Sequence, residues 1–310
     1  MTEYAIKTNN LVKQFPKMRA VDGISLQVKR GEIYGILGPN GAGKTTFLRM
    51  LATLTKITDG QAEIFGYDVA KEASDVRRLI GLTGQYATVD VELTALENLV
   101  IFGRLNGLKK KDAQERALEL LTQFSLMDAK DRAIKEFSGG MRRRLDLAVS
   151  LITKPPLIFL DEPTTGLDPI TRGKMWDVIR QLVKEGSTIL LTTQYLDEAD
   201  QLADRIAIIN HGKLVNEGTS NEVKAQLGET YFEIQLEDTQ EIDRTADFLQ
   251  TKVSDPIMRL PDRGSLAIKT NDTKAMTQLL VDLGTQGIDV KEFSVRKPTL
   301  DEVFLELTNR

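Results

Sequence analysis

The chain has 310 residues, 41% of them hydrophobic and 28% charged, a globular composition with room for a large α/β domain plus a small one. A net charge of −4 gives no electrostatic reason for a nucleic-acid partner, and the lack of cysteine, with one histidine (His211), excludes disulfides and makes a zinc site unexpected. No apolar run approaches the roughly 20 residues of a membrane helix, and MTEYAIKTNN has no signal-peptide pattern, so a soluble, cytoplasmic protein is expected that meets any membrane through a partner.

Residues 1–228 read as strands alternating with helices, the pattern of a mainly parallel sheet. Glu32 to Leu37 is a short apolar run, followed by a Gly-rich turn and then Phe47, Leu48, Met50 and Leu51 at helical spacing. The turn is Gly38-Pro39-Asn40-Gly41-Ala42-Gly43-Lys44-Thr45, followed by Thr46, and it fits G-x-x-x-x-G-K-[ST] in the strand–loop–helix setting that pattern requires. Its glycines let backbone N–H groups cradle phosphate at a helix N-terminus, Lys44 adds a point charge to the β- and γ-phosphates, and the Thr45 hydroxyl is expected to ligand Mg²⁺. ATP and Mg²⁺ are therefore the expected ligands.

From about 86 to 155 the pattern changes to a helical insert, with Ala113, Ala117, Leu120, Leu121 and Phe124 on one face. It contains Glu136-Phe137-Ser138-Gly139-Gly140-Met141, a Ser and two glycines at a helix start, which on its own reads as a cap and turn. Arg142, Arg143 and Arg144 follow and are expected on a solvated face with some phosphate contact. Next, Leu157 to Leu160 forms an apolar strand ending in Asp161 and Glu162. Asp161 can hold Mg²⁺ through its water shell, and Glu162 can act as general base or position the attacking water. A helix with Met175, Val178, Ile179 and Leu182 inward and a strand from Thr188 to Leu191 complete the alternation. Asn210-His211-Gly212 is a hairpin turn with no assigned chemistry, and Thr219-Ser-Asn-Glu222 a capping box for a helix closing at Gly228.

After Gly228 the order is strand (Tyr231–Leu236), helix (Ile242, Ala246, Leu249), two short strands around Pro261–Gly264, helix (Met276, Leu279, Leu280, Leu283) and strand (Ile288–Val295). This β-α-β-β-α-β order predicts a ferredoxin-like α+β module over 229–310. A last helix opens with the box Thr299-Leu-Asp-Glu302 and buries Leu300, Val303, Phe304 and Leu307. There are no repeats and no low-complexity segment.

Taken in order, the phosphate loop, the Ser138-Gly-Gly segment and the Asp161-Glu162 strand resemble the ABC transporter ATP-binding subunits over about 1–228, with Phe137 and Met141 where the signature usually has Leu and Gln. The resemblance implies a P-loop ABC ATPase fold with a helical subdomain. It also implies a homodimer holding two ATP molecules between chains, with Ser138, Gly139 and Gly140 closing on the γ-phosphate bound by the partner. By the same resemblance Gln85 is the glutamine that contacts Mg²⁺ and senses the membrane partner, its other reading being a polar loop residue. Thr165-Gly-Leu167-Asp168 would cross the dimer interface, and Phe15 either stacks on adenine or is a core phenylalanine. The switch histidine falls at Gln194, where a carboxamide can still donate to the γ-phosphate but cannot carry a proton.

Gln194, Thr-Thr-Gly-Leu-Asp-Pro and Pro298-Thr-Leu-Asp-Glu-Val-Phe-Leu-Glu-Leu narrow the resemblance to the daunorubicin-resistance type. That implies an exporter of drugs, antibiotics or other hydrophobic compounds, with a separately encoded multi-span ABC-2-type permease and a place on the inner face of the cell membrane. The alternative is a soluble ABC ATPase switching a macromolecular partner; such proteins usually join two cassettes or insert a coiled coil, and this chain has one cassette and no heptad run.

Overall fold

The computed structural model describes residues 3–83, 89–225, 230–260, 264–270, 272–300 and 302–304. The chain divides into two units, Met1–Ser220 and Asn221–Arg310. The boundary expected at 228/229 falls within 226–229, outside the described residues.

The first unit opens with β1 (Tyr4–Phe15), β2 (Met18–Ile24), β3 (Gln27–Lys29), β4 (Ile33–Leu37), α1 (Lys44–Leu51), β5 (Asp59–Ile64) and β6 (Tyr67–Asp68). α2 (Ala73–Leu79) and β7 (Ile80–Thr83) lead to three helices, α3 (Ala95–Leu105), α4 (Lys110–Gln123) and α5 (Gly139–Ser150). Then come β8 (Leu157–Asp161), α6 (Pro169–Lys184), β9 (Thr188–Thr193), α7 (Leu196–Leu202), β10 (Arg205–Asn210) and β11 (Lys213–Gly218), and α8 (Ser220–Ala225) starts at the unit boundary.

Six strands form one sheet in the order β11-β10-β4-β9-β8-β7, parallel except for the β10–β11 hairpin. Its central strands are buried on both faces, which is why they read as unbroken apolar runs. Alternation sorts their side chains. Ile158, Leu160, Ile189 and Leu191 join the core under α3–α6, while Leu157, Phe159, Leu190 and Ile36 join the core with α1. The helical insert buries Ala113, Ala117, Leu120, Leu121 and Phe124 almost completely, as their spacing predicts.

The sequence reading of a mainly parallel sheet needs one correction. β1, β2, β3, β5 and β6 form a separate antiparallel sheet. The cause is local: β1 and β2 are joined across Pro16-Lys17 with Phe15 opposite Met18, and so short a link can join only antiparallel strands.

In the second unit β12 (Tyr231–Leu236), α9 (Ile242–Gln250), β13 (Met258–Leu260), β14 (Ser265–Lys269), α10 (Thr273–Thr285) and β15 (Val290–Arg296) follow in turn. The sheet order β13-β14-β12-β15, antiparallel throughout, is the ferredoxin-like arrangement. The last strand starts two residues later than its hydrophobic pattern suggests. Gly287 (φ 68) ends α10 in a Schellman motif, with Ile288 N–H donating to Leu283 O and Gly287 N–H to Gly284 O, so buried Ile288 belongs to the helix cap. Thr299 and Glu302 form the expected capping box, while Leu307 lies outside the described residues.

Arg296 ties this helix down, with Nη1 and Nη2 donating to Glu302 and Nε donating to Glu233 at 2.5 Å. Burial pushes the Glu302 carboxyl up, but Arg296 and the Thr299 N–H outweigh it and leave the pKa below the usual 4.5. The tie therefore contributes fully above that ordinary pKa and fades as pH falls through the depressed one. Arg296→Met is expected to destabilise the second unit by about 2 kcal/mol at pH 7, less than a fully buried pair would cost because Arg296 is partly exposed. The gap between variant and wild type should narrow at pH 4 in thermal unfolding of the full chain; an equal gap at both pH values would contradict the assignment.

Candidate active site

The phosphate loop leaves β4 at Gly38 and enters α1 at Lys44. Gly41 (φ 82) and Gly43 (φ 105) hold left-handed backbone that other residues resist. Space is the reason at Gly38, where a Cβ would lie 2.3 Å from the Ile209 carbonyl oxygen, and a second reason at Gly43, where one would lie 2.2 Å from that of Ala20. The β10–β11 turn braces the loop, since Gly212 N–H donates to Ala42 O while Asp22 N–H donates to Gly212 O. His211-Gly212 thus has a structural role, with both residues at positive φ as a two-residue hairpin requires.

Phe15, Pro39, Asn40, Gly41, Ala42, Gly43, Lys44, Thr45, Thr46 and Glu162 line one cavity of about 290 Å³, together with Met18 and Ala20. Phe15 is no core phenylalanine: it is 38% exposed on the cavity wall, with the Lys13 ammonium 5.0 Å from its ring centre. Lys44 is buried. Its amine donates to Gly38 O (2.7 Å) and Pro39 O (3.1 Å) and stands 3.7 Å from the Glu162 carboxylate. Burial pulls the amine's pKa below its usual range, and Glu162 and Asp161 partly restore it.

Asp161 ends β8, where Thr45 Oγ1 donates to its Oδ1 at 3.1 Å and Thr192 Oγ1 at 2.6 Å. Glu162 follows in left-handed backbone (φ 49), with its N–H donating to Thr192 O and its Oε2 accepting from Thr165. Gln194 sits just past β9, half-buried, on the short link to α7. Gln85 lies outside the described residues.

Ser138 caps α5, its Oγ accepting from the Met141 N–H. Gly139 lines a second depression of about 390 Å³ with Arg142, Arg143, Asp146, Thr165, Gly166, Leu167 and Glu162. Gly140 packs toward α6, where a Cβ would lie 3.1 Å from Thr171 Cγ2. Asp168 caps α6 through the N–H groups of Ile170 and Thr171, and the Thr171 hydroxyl holds its carboxyl below the usual range. Ser138, Gly139, Gly140 and Asp168 do not line the phosphate-loop cavity; among the described residues Glu162 alone borders both hollows.

The three arginines require a correction. Arg143 is no solvated residue: it donates to the carbonyls of Asp161, Glu162 and Pro163, clamping the turn that carries the acidic pair. Arg142 holds the carbonyls of Ile134 and Lys135, and Arg144 those of Phe124 and Ser125. Helical spacing alone cannot show such bonds, because their acceptors lie on other segments. Buried Glu198 was missed as well. It accepts from Thr164 Oγ1 (2.8 Å) and Trp176 Nε1 (3.3 Å), linking the segment after Glu162 to α6 and α7, and burial raises its pKa. Its sequence signal was an acidic residue on the inward face of α7.

Among the described residues no helix is long and apolar enough to cross a membrane, and no group of three His, Cys, Asp or Glu could hold a metal. The ABC transporter family model matches residues 21–165, and that of the "ATP-binding protein DrrA1-3-like, C-terminal domain" matches 218–308. The Daunorubicin/doxorubicin resistance ATP-binding protein DrrA of Streptomyces peucetius is 51% identical over 98% of this chain and 92% of its own. The Daunorubicin resistance ATP-binding protein DrrA3 of Streptomyces coeruleorubidus is 46% identical over 99% and 97%. Among solved structures, the dimeric post-hydrolysis state of the ATP-binding cassette MJ0796 bound to ADP and Pi superposes with a TM-score of 0.63, at 28% identity over 69% of this chain and 98% of that one. With a phosphate loop, an acidic strand end and both family segments in place, the chain belongs to the ABC transporter family as an ATP-binding, transport-coupled ATPase subunit of the daunorubicin-resistance type.

Proposed function

We propose that this subunit hydrolyses Mg²⁺-ATP between two copies of itself to drive export of a drug, antibiotic or other hydrophobic compound through a separate ABC-2-type permease. The observation that carries the chemistry is the 3.1 Å bond between Thr45 and Asp161, which joins motifs 116 residues apart beside Lys44 and Glu162. The drug-export reading rests on what the Streptomyces relatives are named for. Those names favour transport over the macromolecular switch. The chain would then work at the inner face of the cell membrane, held there by the permease.

A hydroxyl and a carboxylate at the rim of a phosphate loop suit Mg²⁺, which usually keeps several waters and takes its other ligands from phosphate. Thr45, Asp161 and Gln85 would hold the ion, whose chemistry is to neutralise charge on the β- and γ-phosphate oxygens. The loop from Gly38 to Thr46 binds the triphosphate, Lys44 neutralises the γ-phosphate, and Phe15 stacks on adenine. Glu162 orients the attacking water or takes its proton, and phosphoryl transfer needs little beyond such positioning and charge neutralisation. Gln194 donates a hydrogen bond to the γ-phosphate.

Glu162 borders both hollows while Ser138 and the two glycines stay outside the loop cavity. This supports a site finished in trans, where Ser138, Gly139 and Gly140 of one copy meet the γ-phosphate held by the other and Asp168 lies near the seam. The dimeric MJ0796 cassette offers a precedent.

Glu162→Gln should lower turnover by at least about 100-fold while ATP binding persists and an ATP-dependent dimer accumulates in size-exclusion chromatography. Full activity in that variant would refute its role. Recovering the trapped variant from native membranes should bring an integral membrane protein with it; ribosomal or DNA-bound partners alone would favour the switch. Gln194→Ala is expected to lower kcat more than it raises KM, and an unchanged turnover would remove Gln194 from the mechanism.

A further inference from the structure

Thr192 is wholly buried near the end of β9, in register with Asp161 of β8. A buried hydroxyl in a parallel strand is costly unless bonded, and valine would fill the same space without that cost. Here both of its bonds go to the acidic pair. It donates to Asp161 Oδ1 at 2.6 Å and accepts the Glu162 N–H at 3.2 Å, so its single proton and a lone pair are both used in a consistent sense. Thr188 and Thr193, the other threonines of β9, accept instead from the Gly31 and Tyr195 N–H groups.

We infer that Thr192 is a positioning residue for the Mg²⁺–nucleotide site: its hydroxyl sets the Asp161 carboxylate and gives the Glu162 N–H, which the Thr192 carbonyl holds at 3.0 Å, a second acceptor at 3.2 Å. The inference rests on the Mg²⁺-ATP reading above. Asp161 Oδ1 is held between two hydroxyls, Thr45 from the loop and Thr192 from the strand, which fixes the carboxylate plane. Removing the strand hydroxyl leaves Oδ1 held by Thr45 alone, so the Asp161 carboxylate loses one of the two bonds that set its orientation. Outer partners of this kind govern metal affinity through the orientation of the inner group.

The test uses the full chain as wild type, Thr192→Val and Thr192→Ser, with binding of a fluorescent ADP analogue titrated against MgCl₂ and in EDTA, beside steady-state ATP hydrolysis. Circular dichroism checks that each variant is folded. Thr192→Val is expected to keep the wild-type affinity in EDTA, to need about tenfold more Mg²⁺ for half-maximal enhancement of binding, and to lose about tenfold in kcat. Thr192→Ser, which keeps the hydroxyl, should return the Mg²⁺ midpoint close to wild type. A Mg²⁺-dependent wild type with an identical Mg²⁺ midpoint in Thr192→Val overturns this inference alone. So does equal weakening in EDTA and in Mg²⁺, which would mark a packing role. A wild type whose nucleotide affinity ignores Mg²⁺ overturns the metal reading, and this inference with it.

Discussion

In the six-stranded sheet Leu37 pairs with Thr193, Asp161 with Thr192 and Ile208 with Leu37, so β4, β9, β8 and β10 finish at nearly one level. Parallel strands that end together bring their following loops together, and ligands of such sheets gather at that edge. The loop and the acidic pair issue from it, while Phe15 comes from the antiparallel sheet. β4 releases the phosphate loop, β8 the acidic pair, β9 the Gln194 link, and β10 the turn that braces the loop. A slip of one residue between β8 and β9 would turn Asp161 or Thr192 to the wrong face of the sheet.

How far the sequence could be read follows from how local each constraint is. The phosphate loop, the Asp-Glu pair and the capped Ser138 helix are contiguous patterns whose chemistry needs neighbouring residues, so they are legible in the sequence. The second unit was legible too, because alternating and helical periods occur there in an order that few folds share. Thr192, Arg143 and Glu198 were not. Each acts through partners on other segments, such as the strand register that sets Thr192 against Asp161. Likewise the separate antiparallel sheet depends on which strands pair, something that burial patterns of single strands do not encode.

The two hollows that meet at Glu162 explain why a subunit of this kind is incomplete by itself under the proposed dimer. Bonds within the chain fasten the triphosphate wall, since Lys44, Gly212 and the two threonines all anchor it to the central sheet. By contrast, Ser138 and Asp168 spend their own capping capacity on their own helices and line a different surface. In the proposed dimer, a partner's arrival would therefore add groups to a wall that is already set.

Glu162 holds its place with a left-handed backbone (φ 49), a conformation in which glycine or asparagine rests more comfortably. If Glu162 handles the attacking water as proposed, local conformational preference and useful chemistry favour different residues at one position, a common condition of working sites. Random substitution combined with selection for folding alone would drift this position toward a sturdier, idle protein. Under the proposed role, the persistence of glutamate in any lineage of such chains would then record selection for turnover itself, exercised on the whole transporter rather than on this fold.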